Sequence, residues 1–277
     1  MFTLNCKGRL LVIDKPLIMG IINATPDSFY EGSRFSGKDK ILTQAEKMIN
    51  DGADILDIGG QSTRPGSEQV PENTELTRII ESIEAMHQKF PGILISVDTY
   101  YSVVAKTCVE AGASIVNDVS SGMMDHKMLP TIAALQVPYI AMHMKGTPQT
   151  MQQLASYENV TREVLDFFIA KKHECRNAGI TDLIIDPGFG FAKTIAHNFQ
   201  LLKDLSVFKL IDAPLLVGLS RKSSVYKTLN ISPEEALNGT TVLNTIALMN
   251  GANILRVHDV KEAKEAVELW KAVNDAK

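Results

Sequence analysis

Hydrophobic and polar positions come in blocks along this chain. Eight short apolar runs recur, at Leu17–Ile22, Ala53–Ile58, Ile93–Val97, Ser114–Asn117, Val137–Met142, Leu183–Ile185, Pro214–Val217 and Asn253–Val257. None alternates cleanly, as expected of parallel strands covered on both faces. Each is followed by a polar, glycine-containing cluster and then an amphipathic stretch. Helical spacing predicts helices over Lys38–Asp51, Asn73–Phe90, Tyr101–Ala111, Val160–Ala178 and Thr241–Asn250. Four of them stop at Gly52, Gly112, Gly179 and Gly251, where a left-handed cap is expected, and one stops before Pro91.

Strands alternating with helices predict a parallel sheet, and a domain of roughly 250 residues closes it most simply as a (β/α)8 barrel, an α/β fold. An open doubly wound sheet needs a glycine fingerprint after its first strand, where this chain has Asn23-Ala24-Thr25-Pro26. Met1–Ile13 reads as a hairpin turning at Lys7-Gly8 and set against the barrel floor. The expected organisation is one domain, with residues 1–16 as the hairpin and 17–277 as the barrel.

Composition narrows the class. The chain has 277 residues, 45% hydrophobic and 22% charged, enough to bury a core without staples. Its 28 basic and 32 acidic residues give a charge of -4 with the signs interspersed, which lacks the footprint of a nucleic-acid binder. Cys6, Cys108 and Cys175 are widely spaced and form no CxxC pair, so a disulfide scaffold or zinc ribbon is excluded. The N-terminus does not read as a signal peptide. No apolar run approaches the ~20 residues of a membrane span. A cytoplasmic protein with neither membrane nor nucleic-acid partner is expected.

In such barrels chemistry sits at the carboxyl ends of the strands. Asn23, Asp57 with Gly59-Gly60, Asp98, Asn117-Asp118, His143, Asp186, Ser220-Arg221-Lys222 and Arg256-Val257-His258 follow or end the runs. Any one of them reads most simply as a helix cap. Polar groups at all eight ends predict a polar rim around a pocket. Asp98, Asn117 and Asp186 suit the N–H groups of a flat, nitrogen-rich ring, because buried carboxylates need donors. Phe191 and Met142 supply walls, although Met142 alone reads as core. Arg64, Arg256, His258 and the Ser220–Ser223 turn suit an anion, the turn because it opens a helix. The rival reading of Arg256 is a surface arginine paired with Asp259 or Glu262. The long polar segments Ala24–Gly37 and Gly60–Thr74 read as lids, the first carrying Thr25 and Asp27 in a turn.

Several of these stretches resemble the signatures of the dihydropteroate synthases. Ile22-Asn23-Ala24-Thr25-Pro26-Asp27-Ser28-Phe29 is similar to the first, and Asp57-Ile58-Gly59-Gly60-Gln61-Ser62-Thr63-Arg64-Pro65-Gly66 to the second. Ser96–Thr99, Val116–Ser120, Met142–Pro148, Asp186–Phe191, Gly218–Ser223 and Arg256–Val260 follow in the family's order. The resemblance implies a (β/α)8 barrel that joins 4-aminobenzoate to 6-hydroxymethyl-7,8-dihydropterin diphosphate, releasing diphosphate and forming 7,8-dihydropteroate. It implies that Asp98, Asn117, Asp186 and Lys222 hydrogen-bond the pterin, with Met142, Phe191 and Arg256 against it. Asn23, Arg64, Arg256 and His258 serve the diphosphate, Asn23 through Mg2+. Thr63, Pro65, Lys222 and Ser223 frame the aminobenzoate, and Thr25, Asp27 and Phe29 belong to a lid. Catalytic roles fall on Asn23, Asp98, Asp186, Lys222, Arg256 and His258, and a homodimer is implied. The chain departs from the family at Gln61, where Glu is common, at Lys145 for Gln, at Ala192 for Gly, and at Ser224-Val225-Tyr226. A corrinoid-type pterin methyltransferase would keep the Asp/Asn set without the anion residues. A silent pterin binder would keep both and turn nothing over.

Overall fold

The computed structural model describes residues 1–24, 37–62 and 66–276. An antiparallel hairpin of β1 (Phe2–Cys6) and β2 (Arg9–Ile13) comes first. Eight parallel strands follow: β3 (Leu17–Asn23), β4 (Ile55–Gly59), β5 (Leu94–Asp98), β6 (Ile115–Asp118), β7 (Tyr139–Met142), β8 (Leu183–Asp186), β9 (Leu216–Val217) and β10 (Ile254–Val257). Each starts inside a predicted apolar run. Asn23, Asp98 and Asp186 are the last residues of their strands rather than the first beyond them. β3 to β8 pair in sequence order, and β10 pairs with both β3 and β9. A parallel bridge between Ile185 and Leu215, with the Ile185 N–H donating to the Pro214 carbonyl at 3.0 Å, closes the ring. The predicted barrel is the fold.

The helices are α1 (Gly37–Asn50), α2 (Glu72–Lys89), α3 (Ser102–Glu110), α4 (Met128–Leu135), α5 (Val160–Ala178), α6 (Ile195–Lys203), α7 (Ser223–Leu229), α8 (Leu237–Met249) and α9 (Val260–Asp275). Gly179 caps α5 in the left-handed region at φ 93°, its N–H bonding the Arg176 and Cys175 carbonyls. α8 starts at Leu237, four residues before the expected Thr241, because Gly239 lets its first turn pack on Val225 and Leu229. α4 escapes the helical pattern because Met-Leu-Pro-Thr-Ile-Ala-Ala-Leu has almost no polar face. α6 opens with a capping box, in which Thr194 accepts from the His197 N–H at 3.1 Å and His197 accepts from the Thr194 N–H at 3.3 Å.

The hairpin closes the floor. Lys7 (φ 54°) and Gly8 (φ 86°) make its turn, both left-handed as a two-residue hairpin turn requires. Leu4, Cys6 and Ile13 pack on Leu17, Met19, Ile55, Leu94, Ile115, Ile140, Ile184, Leu216 and Ile254, drawn from all eight barrel strands. Polar ties fix it: the Asn5 N–H donates to Asp182 at 2.9 Å and Lys7 to the Val109 carbonyl at 2.7 Å. A larger apolar layer fills the space between strands and helices. No helix among the described residues is long and apolar enough to cross a membrane.

Candidate active site

The mouth of the barrel is built from carboxylates and cations. β4 brings in Asp57, β5 Asp98, β6 Asn117 and β10 Arg256. The Arg256 guanidinium donates through Nε to Asp57 Oδ2 and through a terminal nitrogen to Asp98 Oδ2, each at 2.6 Å. Asn117 adds a third bond, from Nδ2 to Asp57 Oδ2 at 3.0 Å. Asp57 Oδ1 and Asp98 Oδ1 are buried with no hydrogen-bond partner among the described residues. Burial pushes the Asp98 carboxyl up to about 7, against the pull of Arg256. An orphaned buried acceptor is costly, so this pair is a place for a ligand's N–H groups. The sequence places Asp57 on the rim without a role, and its apolar neighbours Leu56 and Ile58 carry no signal of the pairing with Arg256.

β8 and the loop after β9 supply the opposite wall. The Lys222 ammonium donates to the Phe189 carbonyl and stands 4.8 Å from the centre of the Phe191 ring. Burial lowers its pKa to about 8, opposed by Asp186. Asp186 Oδ1 accepts from the Gly188 N–H at 2.8 Å, and burial raises its carboxyl. Met142 is buried with Tyr100, Met144, Met151 and Ala192, and Phe191 packs against that group. Acceptors at the strand ends beside these side chains suit a flat polar heterocycle.

The anion side is only partly described. His258 lies with Nδ1 3.0 Å from Ser220 Oγ, and its N–H donates to the same oxygen at 3.2 Å. Asn23 ends β3, half-buried and in register with Gly59. Ser223 is the first residue of α7, beside Lys222. Thr25, Asp27, Phe29, Thr63, Arg64 and Pro65 lie outside the described residues. The rest of the second lid segment is docked: the Gly66 N–H donates to the Pro148 carbonyl at 3.1 Å and Gln149 to the Ser67 carbonyl at 3.0 Å.

Three expectations are corrected. Arg221 does not join the anion turn: its guanidinium forks onto both oxygens of Asp259 at 2.9 Å and reaches the Pro233 and Glu234 carbonyls. It therefore takes Asp259, the partner that the rival surface reading gave Arg256, and Arg256 turns inward. Asp118 leaves the rim to accept from Ser120, Gly122 and the Tyr139 hydroxyl. His143 is buried with its Nδ1 against Lys193 rather than standing free on the rim. Among the departures, Gln61 donates to Glu75 at 2.5 Å and accepts from Tyr100 at 2.8 Å. Lys145 pairs with Glu163 at 2.9 Å and stands 3.7 Å from the centre of the Tyr157 ring.

Among the described residues no group of three or more His, Cys, Asp or Glu is arranged to hold a metal. A cation here would depend on a single hard donor, the Asn23 amide oxygen, and on oxygens brought by a substrate.

An α/β barrel whose mouth sets paired buried acceptors beside Arg256 and Lys222 has the architecture of a pterin-binding barrel. Residues 19–258 match the family model described as pterin binding enzyme, and the chain belongs to that family. A dihydropteroate synthase from Escherichia coli strain K12 is 43% identical over 273 residues, spanning 98% of this chain and 96% of that protein. A Xanthomonas albilineans dihydropteroate synthase solved with 4-aminobenzoic acid superposes with a TM-score of 0.93 at 38% identity, covering 99% of each chain. The Xanthomonas enzyme in complex with 7,8-dihydropteroate gives 0.90 at 36% identity, covering 99% of this chain and 100% of that one.

Proposed function

We propose that the chain condenses 6-hydroxymethyl-7,8-dihydropterin diphosphate with 4-aminobenzoate, giving 7,8-dihydropteroate and diphosphate, as a transferase of folate synthesis. The observation that carries this reading is the pair of unpartnered oxygens on Asp57 and Asp98, beside Asn117, Asp186 and Lys222. A pterin's ring N–H and amino groups are the donors such a set lacks. Relatives solved with 4-aminobenzoic acid and with 7,8-dihydropteroate support the two halves of the reaction.

Asp98, Asn117, Asp186 and Lys222 hydrogen-bond the pterin, while Met142 and Phe191 flank it. Arg64, Arg256 and His258 take the diphosphate, and Thr63, Pro65, Lys222 and Ser223 frame the aminobenzoate. Departure of the diphosphate leaves positive charge on the pterin methylene and negative charge on the leaving group. Preorganised cations stabilise the second as it grows, and the buried carboxylates offset the first. The substitution is dissociative because the C–O bond to diphosphate breaks before the new C–N bond forms. The neutral arylamine then attacks the methylene cation, and the proton its nitrogen sheds passes to the departing diphosphate or to water, so no dedicated base is needed. The lids exclude water that would otherwise capture the methylene cation. Mg2+, held by Asn23 and the diphosphate oxygens, would neutralise leaving-group charge. Lone Asn ligation fits a cation that arrives with its substrate.

The assembly read here is a single barrel domain including its hairpin, acting as a homodimer in the cytoplasm. The exposed Val242, Ile246, Met249, Leu269 and Val273 on α8 and α9 support an apolar contact between copies. Diphosphate release measured with and without 4-aminobenzoate tests the activity. Release that requires 4-aminobenzoate is expected. A methyltransferase would show no diphosphate-dependent pterin affinity by calorimetry, and a silent binder would show that affinity without release.

A further inference from the structure

Lys193 is a buried cation with no place in the reaction described above. It is 4% exposed, just beyond the loop that leaves β8. Its ammonium lies 3.0 Å from His143 Nδ1, 3.3 Å from the His143 carbonyl, and 3.0 Å from each of the Gly188 and Phe191 carbonyls. Three N–H groups thus meet four acceptors, three of them backbone oxygens from two separate loops. His143, itself 3% exposed, turns the Nδ1 lone pair toward the cation and so carries its hydrogen on Nε2. Burial, reinforced by the Lys193 charge, holds that imidazole neutral. Burial also lowers the Lys193 pKa, with Asp186 favouring its charge.

The loop it grips runs through three left-handed residues and touches Lys222 twice. Gly188, Gly190 and Ala192 all have positive φ, at 71°, 82° and 50°. A Cβ at Gly188 would collide with the His143 carbonyl oxygen, so the loop lies directly on the end of β7. It presents the Phe189 carbonyl and the Phe191 ring to the Lys222 ammonium. A second grip comes from buried Asn198, whose Oδ1 accepts from the Gly190 N–H and whose Nδ2 donates to the Thr194 carbonyl, both at 2.7 Å.

We infer that Lys193 is a positioning residue for Lys222: it ties the Gly188 and Phe191 carbonyls to the end of β7 and so fixes the loop against which the Lys222 ammonium is held. Asn198 completes the hold from α6. Neither side chain touches substrate. The inference rests on the reading that Lys222 contacts the pterin.

The test is a double-mutant cycle. Lys193→Met and Asn198→Ala are made alone and in the Lys222→Ala background. Melting temperature, kcat/KM for the pterin diphosphate and calorimetric affinity for the unactivated hydroxymethylpterin are measured on each folded protein. Lys193→Met is expected to lower kcat/KM roughly a hundredfold, the size of loss that a small misplacement of a site group causes. Asn198→Ala, which removes the bonds to the Gly190 N–H and the Thr194 carbonyl, is expected to cost about fivefold. In the Lys222→Ala background each is expected to cost less than about a third of its wild-type-background effect, because the group being positioned is gone. A purely structural lysine gives a lower melting temperature with losses that are equal in both backgrounds, and that result overturns the inference. If Lys193→Met does not fold, Asn198→Ala carries the same cycle. Absence of diphosphate release by the wild type defeats the functional reading alone, since the cycle can still be read from pterin affinity.

Discussion

The two ends of this barrel are made of the same eight strands and could hardly be less alike. At the floor every strand ends in an aliphatic side chain, and the hairpin adds Leu4, Cys6 and Ile13 to a fully apolar seal. At the mouth Arg256 is clamped between Asp57 and Asp98, each of which keeps one oxygen without a partner among the described residues. A dry seal contributes stability in proportion to the area it hides. A buried ion cluster contributes little, because desolvation offsets its attraction. The floor is where this chain is held folded, and the mouth is where it tolerates unsatisfied groups that a ligand can satisfy.

Substitutions at the two ends should therefore fail differently. The largest effect is expected from Arg256→Ala. It removes the cation from the leaving-group site and should cost on the order of a hundredfold in kcat/KM, comparable to losing one preorganised oxyanion donor. It also strips Asp57 and Asp98 of their counter-charge. The raised Asp98 carboxyl then binds its proton still more tightly folded than unfolded, so stability falls as pH rises through the interval between the two values. The variant's melting temperature should be close to wild type near pH 5 and clearly lower at pH 8. Arg256→Lys should be intermediate in kcat/KM. Equal losses of stability at both pH values would remove the cluster from this account.

At the floor, Leu4→Ala should cost about 2–5 kcal/mol of stability as a buried leucine truncation does. The same variant should keep kcat/KM of the folded protein within about twofold, by active-site titration. A large loss of kcat/KM there would mean that the two ends are coupled and the contrast is wrong.

The mildest test is the pH profile. Asp98 must be ionised to accept N–H groups, and its carboxyl sits at about 7. Lys222 must be protonated to donate, and its ammonium sits at about 8. Pterin-diphosphate kcat/KM should rise through the first value and fall through the second, giving a narrow bell. Asp98→Asn should erase the acidic limb and weaken pterin binding by roughly 1–3 kcal/mol, because a donor now faces a donor. An unchanged acidic limb would assign it to another group.

The contrast also marks what could be read from the chain beforehand. The floor and walls were legible, because a strand buried on both faces leaves a continuous apolar run whatever its neighbours are. The mouth was legible as a list of polar strand ends and illegible as a set of partners. Arg221 and Arg256 each follow or end a strand, and nothing local says that the first turns out to Asp259 and the second turns in to Asp57. Lys193 was invisible for a stronger reason. A lysine in sequence reads as a solvated surface group, and only the folded loop supplies the carbonyls that make its burial tolerable. Of the helices missed, α4 lacks a polar face, whereas α9 buries Val260, Ala263, Ala266 and Val267 along one side and carries Lys and Glu along the other, so its pattern was there to be read.

The ring of strands is not uniformly stitched. Six of the neighbouring strand pairs share three or more registered residues, as β3 and β4 do with five, and β9 meets β10 through two. The junction of β8 with β9 rests on the single bridge Ile185–Leu215. That junction falls between the strand that ends in Asp186 and the strand that leads to Lys222, so across this seam the contact of Lys222 with the Phe189 carbonyl and the Phe191 ring does at the mouth some of the joining that the strand ladder does elsewhere in the ring.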